Sequence, residues 1–163
     1  VFCYSFTKLF TSFSHVVLGL ALAVAPVGAW IAVTDSIAPG VLVLGGAVIC
    51  WVAGFDVIYS LQDEEFDRGA GLHSVPAKLG RRGALCVSRG LHLATVVLLA
   101  WTGAFFPVGA FYWLAWSAVA AMLVYEHRLV HPYDISRVDA AFFRVNGAVS
   151  ILFFALNLVD RVA

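Results

Sequence analysis

Carboxylates crowd into one stretch of the sequence, Asp56-Val57-Ile58-Tyr59-Ser60-Leu61-Gln62-Asp63-Glu64-Glu65-Phe66-Asp67, directly after an apolar run. On a helix advancing about 100° per residue, Asp56, Asp63 and Asp67 return to within roughly 20° of one direction, whereas Glu65 points about 180° away. Three like charges on one face repel unless a cation lies between them, and Mg²⁺, a hard ion that takes oxygen ligands, suits such a donor set. The chemistry expected of this stretch is therefore the holding of a metal-chelated diphosphate. Tyr4 and Lys8, four residues apart, would project from one side of a helix. Taken alone, they read as anchors at headgroup level.

The elements that must position these groups are apolar. The 163 residues are 62% hydrophobic and 12% charged, outside the range of soluble domains, so the chain is expected to be an integral membrane protein. Stretches of about 20 apolar residues are long enough to cross a hydrocarbon core of about 30 Å. Five spans are expected, at residues 13–33, 39–60, 84–106, 108–125 and 140–159, packed as an all-α polytopic transmembrane helix bundle of one domain over residues 1–163. Pro26 is expected to kink the first, and small residues such as Gly19, Gly45, Gly46 and Gly54 permit close helix contact. Residues 62–83 and 126–139 are expected as polar loops. Zero net charge and no basic cluster beyond Arg81-Arg82 argue against a nucleic acid partner. Cys3, Cys50 and Cys86 are isolated and suggest neither a disulfide framework nor a zinc site.

Five spans place the N-terminal segment and both polar loops on one side of the bilayer. Lys8, Arg68, Lys78, Arg81, Arg82, Arg89, Arg128, Arg137 and Arg144 then face Arg161 alone, and the positive-inside rule makes the richer side cytoplasmic. On that side Tyr4 and Lys8 join the aspartates as candidate site residues. The site is expected at the cytoplasmic face of the cell inner (plasma) membrane.

The pattern Asp56-x-x-Tyr59-x-x-x-Asp63-x-x-x-Asp67 resembles the second aspartate-rich motif of the UbiA superfamily of intramembrane aromatic prenyltransferases. Gly71-Leu72-His73-Ser74-Val75-Pro76-Ala77-Lys78-Leu79-Gly80 is similar to the stretch that follows this motif in 4-hydroxybenzoate polyprenyltransferases, and Tyr4-x-x-x-Lys8 matches the upstream pair. The resemblance implies the last five spans of a nine-helix fold, with a first aspartate motif, Asn-x-x-x-Asp-x-x-x-Asp, expected upstream. Because the sequence starts at Val1 and its sole methionine is Met122, it reads as lacking its natural start, and the isolated chain is expected to be inactive. The resemblance also implies transfer of a polyprenyl group from a prenyl diphosphate to an aromatic acceptor such as 4-hydroxybenzoate, in ubiquinone or menaquinone biosynthesis. Asp56, Asp63 and Asp67 would hold Mg²⁺, and Lys8, with Tyr4 beside it, would stabilise the leaving diphosphate. Tyr59, Arg68 and Lys78 would complete the diphosphate contacts.

Two other readings account for less. CDP-alcohol phosphatidyltransferases also place aspartates and a metal at a membrane boundary, but their Asp-Gly, Ala-Arg and downstream Gly pattern is missing here. A non-enzymatic membrane bundle explains where the charge lies but not the phasing of the aspartates.

Overall fold

The computed structural model describes the backbone of residues 4–162 and the side chains of residues 6–162. A single turn, α1 (Tyr4–Thr7), leads to α2 (Ser14–Thr34), whose only polar side chains are at its ends. Pro26 sits inside α2 without ending it. Asp35 closes α2 in a left-handed conformation, its N–H donating to the Ile31 carbonyl at 2.9 Å. α3 (Pro39–Tyr59) starts with proline in its first turn, where the missing N–H costs nothing.

Beyond α3 the chain does not become a loop. A 3-10 turn (Ser60–Asp63) and the short α4 (Glu64–Gly69) follow, and then α5 (Val75–Thr102), capped by the Ser74 hydroxyl accepting from the Ala77 N–H. The charges between residues 62 and 83, which read as a loop, lie on these short helices, where Glu64 and Arg68 pair one turn apart. At Gly80 the backbone leaves the helix, with φ 68° and ψ 173°, a region essentially restricted to glycine. The third long helix therefore consists of a short leading piece and a straight run. It ends four residues before the expected Phe106.

α6 (Ala110–Leu129) and a final helix follow, the latter opening with a π-helical turn (Ala140–Val145) before α7 (Asn146–Val162). Among the described residues, four helical stretches are long and apolar enough to cross a membrane: Ser14–Thr34, Pro39–Gly69, Val75–Thr102 and Ala140–Val162. The remaining long helix, α6, was expected as the fourth span. Tyr112, Trp113, Trp116, Tyr125, Glu126 and His127 dilute its apolar character.

α3 is the central post, with α2 and α5 packed along it, while α6 packs along α7. Contact between α3 and α5 is closest at Gly54, where a Cβ would collide with the His92 ring, and the Ser88 hydroxyl donates to the Gly54 carbonyl at 2.7 Å. At the end of the bundle away from the acidic turn, Asp160 of α7 accepts the backbone N–H groups of Gly109, Phe111 and Tyr112 at 2.8, 3.0 and 3.2 Å. It thus caps α6 from another helix. Arg161 beside it donates to the Pro107 carbonyl at 3.0 Å.

Candidate active site at the acidic turn

A 3-10 turn advances about 120° per residue rather than 100°. The 3-10 turn between Asp56 and Asp67 therefore changes their phasing from that of a continuous α-helix. Asp56, still on α3, turns into the bundle, where its Oδ2 lies 2.7 Å from Nδ1 of the buried His15 on α2. Asp63 and Asp67 turn instead toward Lys8, whose Nζ lies 3.6 and 3.2 Å from their carboxylate oxygens. The Asp67 side chain is 2% exposed and that of Asp63 51%, so the pair has a sheltered and an open member. Lys8 itself is fixed through its backbone, its carbonyl accepting from the His73 N–H at 2.7 Å.

Tyr4 belongs to α1, but its side chain lies outside the described residues. Tyr59 is half-buried and stacks on Phe142, centroids 4.2 Å apart. Arg68 donates to Glu64 at 2.7 Å and Arg81 to the other Glu64 oxygen at 3.0 Å, so Arg68 is engaged beside the aspartate pair. Lys78 is exposed. The Glu65 side chain is 90% exposed and lies 4.0 Å from Arg81.

Three residues that sequence reasoning did not single out are built into this region: His15, Glu64 and Arg81. Glu64 and Arg81 were visible only as loop charges. The signal for His15 was a polar Ser14-His15 pair opening an otherwise apolar run.

Among the described residues, no three acid, histidine or cysteine side chains converge as a ready-made metal cage. The donor set nonetheless fits a hard cation. Asp63 and Asp67 offer oxygen ligands alone and already flank a positive group, the Lys8 ammonium. Mg²⁺ serving a phosphate substrate characteristically takes one or two carboxylates and fills its remaining positions with phosphate oxygens and water.

Behind the turn, an apolar groove of about 440 Å³ is lined by Trp51, Phe55, Phe142, Phe143 and Asn146, among others. Its rings form a ladder, Trp51 to Phe55 at 5.4 Å, Phe55 to Phe142 at 5.3 Å and Phe142 to Tyr59 at 4.2 Å. The ladder ends one helical turn from the aspartate pair.

A lysine flanked by two carboxylates on an all-helical bundle, four of whose helical stretches are long and apolar enough to cross a membrane, is the setting that sequence comparison assigns to a family. Residues 1–156 match the UbiA prenyltransferase family, and the chain belongs to that family. It is 30% identical over 155 residues to the 4-hydroxybenzoate octaprenyltransferase of Chromohalobacter salexigens, covering 95% of this chain and 52% of that protein. The protein of the same name from Edwardsiella ictaluri is 32% identical over 156 residues, covering 95% of this chain and 54% of the relative. The apo structure of a UbiA homolog from Aeropyrum pernix K1 superposes with a TM-score of 0.85 at 32% identity, over 98% of this chain and 60% of that one. The chain spans about half the length of the curated relatives it matches.

Proposed function

We propose that this chain carries the diphosphate-binding end of an Mg²⁺-dependent aromatic prenyltransferase site. A polyprenyl group would pass there from a prenyl diphosphate to an aromatic acceptor such as 4-hydroxybenzoate, a step of ubiquinone or menaquinone biosynthesis. The excess of Lys and Arg on the side of the acidic turn supports a site at the cytoplasmic face of the inner (plasma) membrane. The observation that carries the reading is the Lys8 ammonium set between Asp63 and Asp67 in a chain of the UbiA prenyltransferase family.

Ionising an allylic diphosphate builds negative charge on the leaving oxygens, and positive groups fixed there before the reaction stabilise that charge more than they stabilise the ground state. Magnesium, when bound, supplies part of that charge, with Asp63 and Asp67 as the residues that would hold it. Lys8 supplies the rest, presented by a backbone that His73 holds in place. Trp51, Phe55 and Phe142 present ring faces and edges along the groove, with Tyr59 stacked behind Phe142, and such rings keep water away and favour an allylic cation until the acceptor ring attacks it. The similarity to octaprenyltransferases supports a long apolar donor, in keeping with a groove open along its length.

Turnover of a full-length enzyme carrying this chain, in membranes supplied with Mg²⁺, prenyl diphosphate and 4-hydroxybenzoate, tests the assignment. Lys8→Ala is expected to lower it roughly 100- to 1000-fold, the usual cost of one lost transition-state contact, whereas Lys78→Ala, on an exposed side chain, should cost far less. Unchanged turnover in Lys8→Ala would remove the basis for the site.

A further inference from the structure

The α5–α6 side of the bundle carries a second arrangement of basic groups. α5 and α6 diverge and leave a groove of about 460 Å³ between them, floored by Leu93, Val96, Ala120, Leu123 and Val124. At its cytoplasmic mouth stand Arg89 of α5 and Arg128 of α6, both exposed, with His127 and the buried His92 forming its upper wall. Among the described residues no acid pairs with either arginine. The nearest buried acid, Glu126, faces inward and accepts at 3.0 Å from the amide of Asn146, a residue whose Oδ1 accepts from the Trp51 indole at 2.9 Å. The other Glu126 oxygen lies 3.7 Å from His92.

His92 Nδ1 and His127 Nε2 are 3.0 Å apart, so one ring donates to the other. His127 Nδ1 is left buried with no hydrogen-bond partner, beside a groove whose mouth holds Arg89, close enough to act on it electrostatically. A buried polar atom lacking a partner is costly and signals a group that completes it. Apolar walls, two unpaired arginines at interface depth and an unsatisfied imidazole nitrogen together describe a receptor for a molecule with an acyl chain and an anionic head.

We propose that the α5–α6 groove binds an anionic phospholipid, its phosphate held by Arg89 and Arg128 beside the orphaned His127 Nδ1 and its acyl chain lying on Leu93, Val96 and Val124. Basic pockets between membrane helices on the cytoplasmic side take lipid headgroups through this combination of charge and depth. The site is separate from the prenyl-transfer reading and does not depend on it.

The test is native mass spectrometry of the protein released from nanodiscs containing phosphatidylglycerol and phosphatidylcholine. One lipid per chain should be retained, with phosphatidylglycerol preferred. Arg89→Gln with Arg128→Gln should reduce that preference roughly 30-fold, by the usual worth of two basic residues at an anionic surface. Arg89→Lys with Arg128→Lys should keep most of it, showing that loss in the first variant is not misfolding. Arg137→Gln with Arg144→Gln removes the same charge from the same side of the bundle and should leave the preference in place. An equal fall in that control would mean non-specific basicity and overturn the proposal, as would retention of both lipids alike by the native protein. Displacement of the bound lipid by millimolar inorganic phosphate would also overturn it, because the groove would then be reading a free anion and the acyl chain would contribute nothing.

Discussion

Lys8 shares one positive charge between two carboxylates, and the unequal burial of those carboxylates ranks their substitutions. Asp67 is sheltered, so Asp67→Asn removes a charge from a place where water compensates poorly, while Asp63 keeps one side in solvent. Turnover with Mg²⁺ titrated is expected to fall roughly 100- to 1000-fold for Asp67→Asn, somewhat less for Asp63→Asn, and by no more than about twofold for Glu65→Gln, which removes a solvated charge. Equal effects at all three positions would show that the turn acts only as a solvated helix end. Asp63, Asp67 and Lys8 could be read from the sequence because spacing and sidedness alone bring them to one membrane edge. The partner of Asp56 could not, because His15 is 41 residues away and meets it only once α2 lies against α3. A 100° step carried through residues 60–63 hides that outcome, since one 3-10 turn is enough to redirect a side chain.

At the scale of elements, the long helices follow from apolar run length, but the helical character of residues 64–69 and 75–83 does not. Those pieces are stabilised by tertiary pairs such as Arg81 with Glu64, 17 residues apart, which no local pattern announces. Gly80 is where the leading piece of α5 turns away from the rest. Gly80→Ala is expected to cost about 1–3 kcal/mol, since any Cβ is strained at that φ and ψ. A thermal melt in detergent should show the midpoint falling by several degrees, and an unchanged melt would mean the break relaxes into continuous helix.

The turn joining α6 to the last helix makes a separate forecast. Hydrogen bonds from Ser136, first its hydroxyl and then its backbone N–H, hold the Asp134 carboxyl below the usual aspartate range. A depressed folded-state value means that this contribution is present above the unfolded pKa and lost as pH falls through the folded one. Carbon-detected titration should place the Asp134 midpoint below that of a free aspartate, and Ser136→Ala should move it upward. A midpoint unmoved by that substitution would assign the depression to another group.

At the scale of the whole molecule, the charges predict orientation. With the native cysteines replaced, a single cysteine at Glu65 is expected to react with a membrane-impermeant reagent from the cytoplasmic side, and one at Arg161 from the opposite side. Labelling of position 65 only from outside would invert the molecule and remove the positive-inside support for the site. The cap that Asp160 gives to α6 bears on how such a chain is built into a bilayer. On the five-span topology Asp160 and Arg161, like Asp35, are charges that must be carried across the hydrocarbon to reach the far side, an expensive passage for an isolated helix. The three N–H groups that receive Asp160 exist there only once α6 has already formed and inserted. On that topology the last helix would find the partner for its translocated carboxylate prepared by the helix synthesised before it.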